Sequence, residues 1–196
     1  MSRGLGSFRV LVLALHLAAL AMALAPSLFF GGVVAPSAFH VLPTKDLAAA
    51  LVSPILSRLC ILAEACFGVL FATGWLLTGG GAPRMLRALA TRLPVLGFFA
   101  AIVIQQLLIP PIDRIRAEAP GLIDNLPAAD PSRILLDRYH RLSTGFFTLE
   151  IASAVALLVV TARLLSRREE AARTATGSPG ESGPRPKPVP KILDLS

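Results

Sequence analysis

Between Arg9 and Lys45 the chain carries no charged residue. The apolar run inside that interval, residues 10–38, is roughly 29 residues long, against the ~20 that carry a helix across a bilayer. Three further apolar runs follow, at about 55–78, 93–110 and 142–165. Lipid offers the backbone no hydrogen-bonding partner, so each run must satisfy its own N–H and C=O groups and predicts a helix. The composition agrees. The chain has 196 residues, 54% hydrophobic and 16% charged, where a soluble domain carries about 25% charged. An ordinary water-soluble domain is excluded, and so is disorder of the whole chain. The predicted fold class is all-α: a polytopic membrane protein built as a four-helix transmembrane bundle over residues 10–170. A short N-terminal segment, residues 1–9, precedes it.

Punctuation along the chain sets the ends of the runs. Arg3, Arg9 and the Ala23-Leu24-Ala25 triplet resemble a secretory signal, but Pro26 would stand at the first mature position and the run continues through Phe30. An uncleaved helix bent near Pro26 or Gly31-Gly32 is expected. Gly79-Gly80-Gly81 and Pro83 end the second run. Pro110-Pro111 is expected to kink the third helix. Asp130-Pro131 reads as an N-cap followed by proline at the first helical position, so the fourth helix is expected to start well before its apolar part. From Ala171 the composition turns to Thr, Gly, Ser, Pro and Lys, and residues 171–196 read as a disordered tail.

Loop charges orient the chain. Arg3 and Arg9 stand before the first run, Arg84, Arg87 and Arg92 between the second and third, and Arg163, Arg167 and Arg168 at the end of the fourth, all without acids among them. The other two loops are balanced, Lys45 against Asp46 in one and five arginines against five acids in the other. Acid-free segments sit on the cytoplasmic side, so a multi-pass protein with both termini cytoplasmic is expected. The net charge of +7 belongs to these loops and the tail. The lipid bilayer is the expected partner. The basic tail is too short and proline-rich to argue for nucleic acid, and protein partners stay open.

Ionisable groups inside spans are costly and point to function or to interhelical contacts. At 1.5 Å per residue, Glu64 and Glu150 lie ~14 and ~12 Å below the outer surface, at a shared depth. Gln105 and Gln106 fall in the outer third of the third run, and His40, Arg58 and His140 near the outer boundary. The candidate intramembrane polar site is therefore Glu64, Glu150, His140, Arg58, Gln105, Gln106 and His40. Two stripes at intervals of three or four support inward orientation: Ser57, Cys60, Glu64 and Gly68 on one helix, and His140, Ser143, Phe147, Glu150 and Ala154 on another. One reading is a proton or cation site with paired carboxylates. The other is protonated carboxyls that hydrogen-bond across the bundle and serve packing. His16 reads as a helix-packing histidine.

No ligand or nucleophile motif stands out. Cys60 and Cys66 are too few for a disulfide framework and read as small hydrophobes. His16 and His140 lie at opposite faces and do not share one haem iron. Cys60 and Glu64 stand at i, i+4, which a soft metal could use with a histidine, but no spacing is diagnostic. No metal site or catalytic residue is assigned, and the cofactor stays open. Ser143 follows His140 by three, without a nucleophile elbow. The expectation is a non-enzymatic membrane protein that handles a small solute or cation through the outer-facing polar cluster. A haem- or redox-linked membrane enzyme and a packing or assembly partner with no site of its own stay open as alternatives.

Three segments carry a resemblance. They are Phe29-Phe30-Gly31-Gly32-Val33-Val34-Ala35-Pro36-Ser37-Ala38-Phe39, then Ile109-Pro110-Pro111-Ile112-Asp113-Arg114-Ile115-Arg116, and Tyr139-His140-Arg141-Leu142-Ser143. They resemble the end of the first helix, the exit of the third and the start of the fourth in the family of membrane proteins similar to transmembrane protein 205, over roughly residues 11–165. The family pattern has a polar residue near position 147, where this chain has Phe147. The resemblance implies four membrane helices with cytoplasmic termini, in a bacterial inner membrane, and it assigns no activity.

Overall fold

The computed structural model describes residues 2–79, 83–119, 121, 123–127 and 129–176. Four long helices follow one another. Helix α1 runs over Ser2–Phe29, passes through a π-helical turn at Phe30–Val34, and ends with Ala35–Val41. Helix α2 is Lys45–Thr78. Helix α3 runs over Arg84–Ile102, a π turn at Val103–Leu108, and Ile109–Glu118. Helix α4 is Pro131–Thr176. Each is long and apolar enough to cross a membrane. The described residues contain no strand, and the chain is an all-helical four-helix bundle.

The two π turns share a cause. Each closes immediately before a proline-containing turn, Ala35-Pro36 in α1 and Ile109-Pro110-Pro111 in α3. Proline lacks the N–H that would bond to the carbonyl four residues back, and its ring crowds that carbonyl. One extra residue in the preceding turn relieves the clash: the Ala35 N–H donates to Phe30 O, and the Ile109 N–H to Ile104 O. Near Gly31-Gly32, where a bend is expected, the chain takes this π turn. At Pro110-Pro111 the helix continues to Glu118, beyond the apolar run that predicted it. Glycine appears at a bend for a different reason at Gly31, where an added Cβ would sit 3.0 Å from Phe147 Cε1.

Two helix starts are capped by their sequence. Thr44 Oγ1 accepts from the Leu47 N–H at 3.2 Å ahead of α2. Asp130 Oδ1 accepts from the Ser132 N–H at 2.8 Å ahead of α4, with Pro131 in the first position. Helix α4 passes Ala171, the expected start of the disordered tail, and stays helical to Thr176, because the run from Glu169 to Thr176 holds no proline or glycine to end it. The remainder of that tail, 177–196, and Gly80 and Gly81 of the glycine triplet lie outside the described residues.

Helix α1 packs on α2, α2 on α3 and α3 on α4, while α1 and α4 close the ring more loosely. The core takes Leu20 and Ala23 from α1, Cys60, Ala63, Phe67 and Leu70 from α2, Ala101 and Ile104 from α3, and Ala154 and Leu157 from α4. Small residues bring the backbones close, as membrane bundles require. A Cβ on Gly74 would lie 2.8 Å from Ala90 O, and one on Gly97 would meet the Phe67 ring at 2.3 Å. Leu11, Phe71, Trp75, Phe99 and Leu158 face outward, an apolar exterior suited to lipid.

Candidate functional site

Polar side chains gather at three levels of the bundle. At the middle level, the Ser27 hydroxyl on α1 donates to Glu150 Oε1 on α4 at 3.1 Å. Glu150 is only 2% exposed, and its other oxygen, Oε2, is buried without a protein partner. Glu64 Oε1 on α2 and Gln105 Oε1 on α3 are buried and unpartnered in the same way. Cys60 stands one helical turn from Glu64 on α2. Both cysteines are free and buried. Among the described residues, no three His, Cys, Asp or Glu side chains come together as a metal site.

Toward the end away from the termini lies a cavity of about 570 Å³. It lies beside the two π turns, with Leu28, Phe30 and Pro36 of α1, Val52 and Leu56 of α2, Ile109 and Ile112 of α3, and Phe147 and Ile151 of α4 as apolar walls. Its polar lining is Ser53, Arg116, His140, Ser143, Thr144 and Thr148. Phe30 and Phe147 meet edge-to-face at 5.8 Å between centroids. Each stands three residues from a member of the Ser27–Glu150 pair on its own helix, one turn along. The aromatic pair therefore lines the cavity one turn from the buried carboxyl. The His140 ring lies edge-on to Phe39 at 6.4 Å. Arg116 is half-buried, and its Nε–H has no partner.

At the end bearing the termini, His16 is 2% exposed and bonded through both ring nitrogens. Nδ1 is 2.8 Å from Thr73 Oγ1 on α2, and Nε2 is 3.1 Å from Thr161 Oγ1 on α4. Both hydroxyls are also placed to donate to their own helices, at Val69 O and Leu157 O. A neutral imidazole has one donor and one acceptor nitrogen, so one threonine must turn its hydrogen to the ring. The cluster ties α1, α2 and α4 together, and His16 is the packing histidine its sequence suggested.

The seven sequence-predicted residues are distributed over different surroundings. His140 lines the cavity. Glu64, Gln105 and Glu150 carry buried oxygens at the middle level. His40, Arg58 and Gln106 are exposed and none lines the cavity, so the constellation does not form one cluster as drawn. Arg58 stands two residues from the buried Cys60, which on a helix points to nearly the opposite side. Gln106 lies in the π turn and is exposed. Sequence reasoning missed Arg116, Ser53, Thr144 and Thr148. The signal available for Arg116 was its place two turns beyond Ile109 on the face of Ile109 and Ile112. No protein-family model, curated protein or solved structure matches the chain.

Proposed function

We propose that this is a non-enzymatic, multi-pass membrane protein that binds a small amphipathic solute in the cavity at one end of its bundle. The observation that carries this reading is the cavity itself. Its volume falls in the ~300–1,000 Å³ range of sites for small molecules, and its walls are mostly apolar with a few polar groups among them. The acid-free arginine segments support cytoplasmic termini, which places the cavity toward the outer face. A bacterial inner-membrane setting and kinship with proteins similar to transmembrane protein 205 belong to the same proposal, on the three segments quoted above.

Photolabelling tests it. The full chain in lipid nanodiscs is exposed to an alkyl diazirine amphiphile, and the labelled peptides are mapped by mass spectrometry. Label is expected on peptides around Val52, Ile112 and Phe147. Gly32→Phe should abolish it, because Gly32 lines the cavity and a Cβ there meets nothing within 4 Å. Label confined to the exterior around Trp75 and Leu158, unchanged by Gly32→Phe, refutes the reading. A second reading, a proton- or cation-holding layer, is favoured by the unpartnered oxygens of Glu64, Gln105 and Glu150. Sodium or potassium binding that vanishes in Glu150→Gln supports it, and no heat of binding for either ion removes it.

A further inference from the structure

We infer that the cavity is entered sideways, through a gap between α1 and α4, and that its occupant is the hydrocarbon chain of a lipid from the surrounding leaflet. The inference rests on the cavity being a binding site, and it names what fills the site and by which route. The walls are not equally covered. Val52 and Leu56 of α2 are half-buried, and Ile109 and Ile112 of α3 are buried. The Ser53 hydroxyl of α2 also donates to Asp113 Oδ1 of α3 at 3.2 Å, which ties that seam. The other two helices differ. Gly32, Pro36 and Phe39 of α1 and His140, Thr144 and Thr148 of α4 line the cavity and are exposed. These are the two helices that close the ring more loosely.

Two ring contacts frame the gap. At one end Phe30 meets Phe147 at 5.8 Å between centroids, and at the other Phe39 meets His140 at 6.4 Å. From His140 to Phe147 is two turns, ~10 Å of helix, and from Phe30 to Phe39 is ~13 Å. Within those intervals the lining is small: Gly31, Gly32, Ala35 and Pro36 on α1, Ser143 and Thr144 on α4. Both intervals fall at the ends of the apolar runs, 10–38 and 142–165, so the gap opens at membrane depth onto hydrocarbon. Its hydroxyls suit that solvent. Ser143 and Thr144 donate to His140 O at 2.9 Å, and Thr148 to Thr144 O at 2.8 Å, so none faces lipid as an unpaired donor. A mostly apolar cavity behind such a gap takes its contents from the acyl chains that surround the bundle. The lipid headgroup stays at the boundary, at the level of His140.

The test uses the full chain in phosphatidylcholine nanodiscs doped with a phosphatidylcholine that carries a diazirine at the end of one acyl chain. Label is mapped to single residues by peptide fragmentation. Ile109 and Ile112 are buried and line the cavity, and Leu107, exposed on the same helix, is the lipid-facing reference. Acyl label is expected on both isoleucines as well as on Leu107. Thr144→Trp, which puts an indole in the gap, should lower label on the isoleucines by at least about tenfold and leave Leu107 unchanged. Thr148→Trp, one turn along, stands in if that variant elutes as an aggregate. A phosphatidylcholine with the diazirine on its headgroup should leave the isoleucines unlabelled. A diazirine-bearing hexanol, free to enter by any route, reports the cavity alone. Hexanol label on the isoleucines without acyl label, equal label from the headgroup probe, or acyl label that survives both tryptophan variants overturns the inference and leaves the cavity reading intact. The first of these is the result expected if a loop or a second copy of the chain closes the gap. No label on the isoleucines from any probe overturns the cavity reading, and the inference with it.

Discussion

Replacing Gly97 by alanine separates helix propensity from packing. In a helix interior, Gly→Ala is worth about 0.8–1 kcal/mol of stability. At Gly97 the new Cβ would lie 2.3, 2.5 and 2.7 Å from three carbons of the Phe67 ring, against an optimum of about 3.5–4.0 Å. Phe67 is 1% exposed and walled by the core, so its ring has nowhere to turn. Overpacking of this kind costs about 1–3 kcal/mol, and three close atoms put it at the upper end. The expected net effect of Gly97→Ala is a loss of about 1–2 kcal/mol. Gly68→Ala is the control: it sits in the same bundle, its Cβ would meet nothing within 4 Å, and it should gain up to about 1 kcal/mol. Unfolding in mixed micelles by added dodecyl sulfate, followed by circular dichroism, measures both. In a Phe67→Leu background the penalty at position 97 should largely disappear, giving a coupling of at least about 1 kcal/mol. A Gly97→Ala protein as stable as the parent, or an equal penalty in both backgrounds, would refute the close packing of α2 on α3.

Three further outcomes are expected. Glu150→Gln keeps an acceptor for the Ser27 hydroxyl and should change stability by less than about 1 kcal/mol, whereas Glu150→Leu should cost about 1–3 kcal/mol and be partly relieved by Ser27→Ala; unfolding in the same micelles gives the order of the three. Thr161→Val leaves His16 Nε2 without its partner in a dry interior and should cost about 1–3 kcal/mol, while Thr161→Ser keeps most of the stability; equal losses would mean the methyl group matters and the hydroxyl does not. A reporter fused after Ser166 should be active in the cytoplasm and one inserted beside Asn125 on the outer side, and activity of both on one side would contradict the arrangement of four spans.

The spans were legible because each is a local property. A bilayer requires length and apolarity of one segment at a time, and the Asp130-Pro131 cap of α4 is equally local. The inward line of α4 was legible too. Ser143, Glu150 and Ala154 are buried and Phe147 half-buried, because α4 runs unbroken, while His140 at the start of the stripe is exposed. On α2 the expected stripe holds at Cys60 and Glu64 and leaves the core at Gly68, which is exposed, while the buried line continues through Ala63, Phe67 and Leu70. In a lipid-facing helix both sides are apolar, so hydrophobicity does not distinguish them. The two π turns also shift the helical count within α1 and α3. What only the tertiary structure decided is which polar groups meet. Ser27 and Glu150 are 123 residues apart in sequence, His16 and Thr161 145. Such pairings depend on the rotation of each helix about its own axis, which interhelical packing sets and the apolar character of a single run does not.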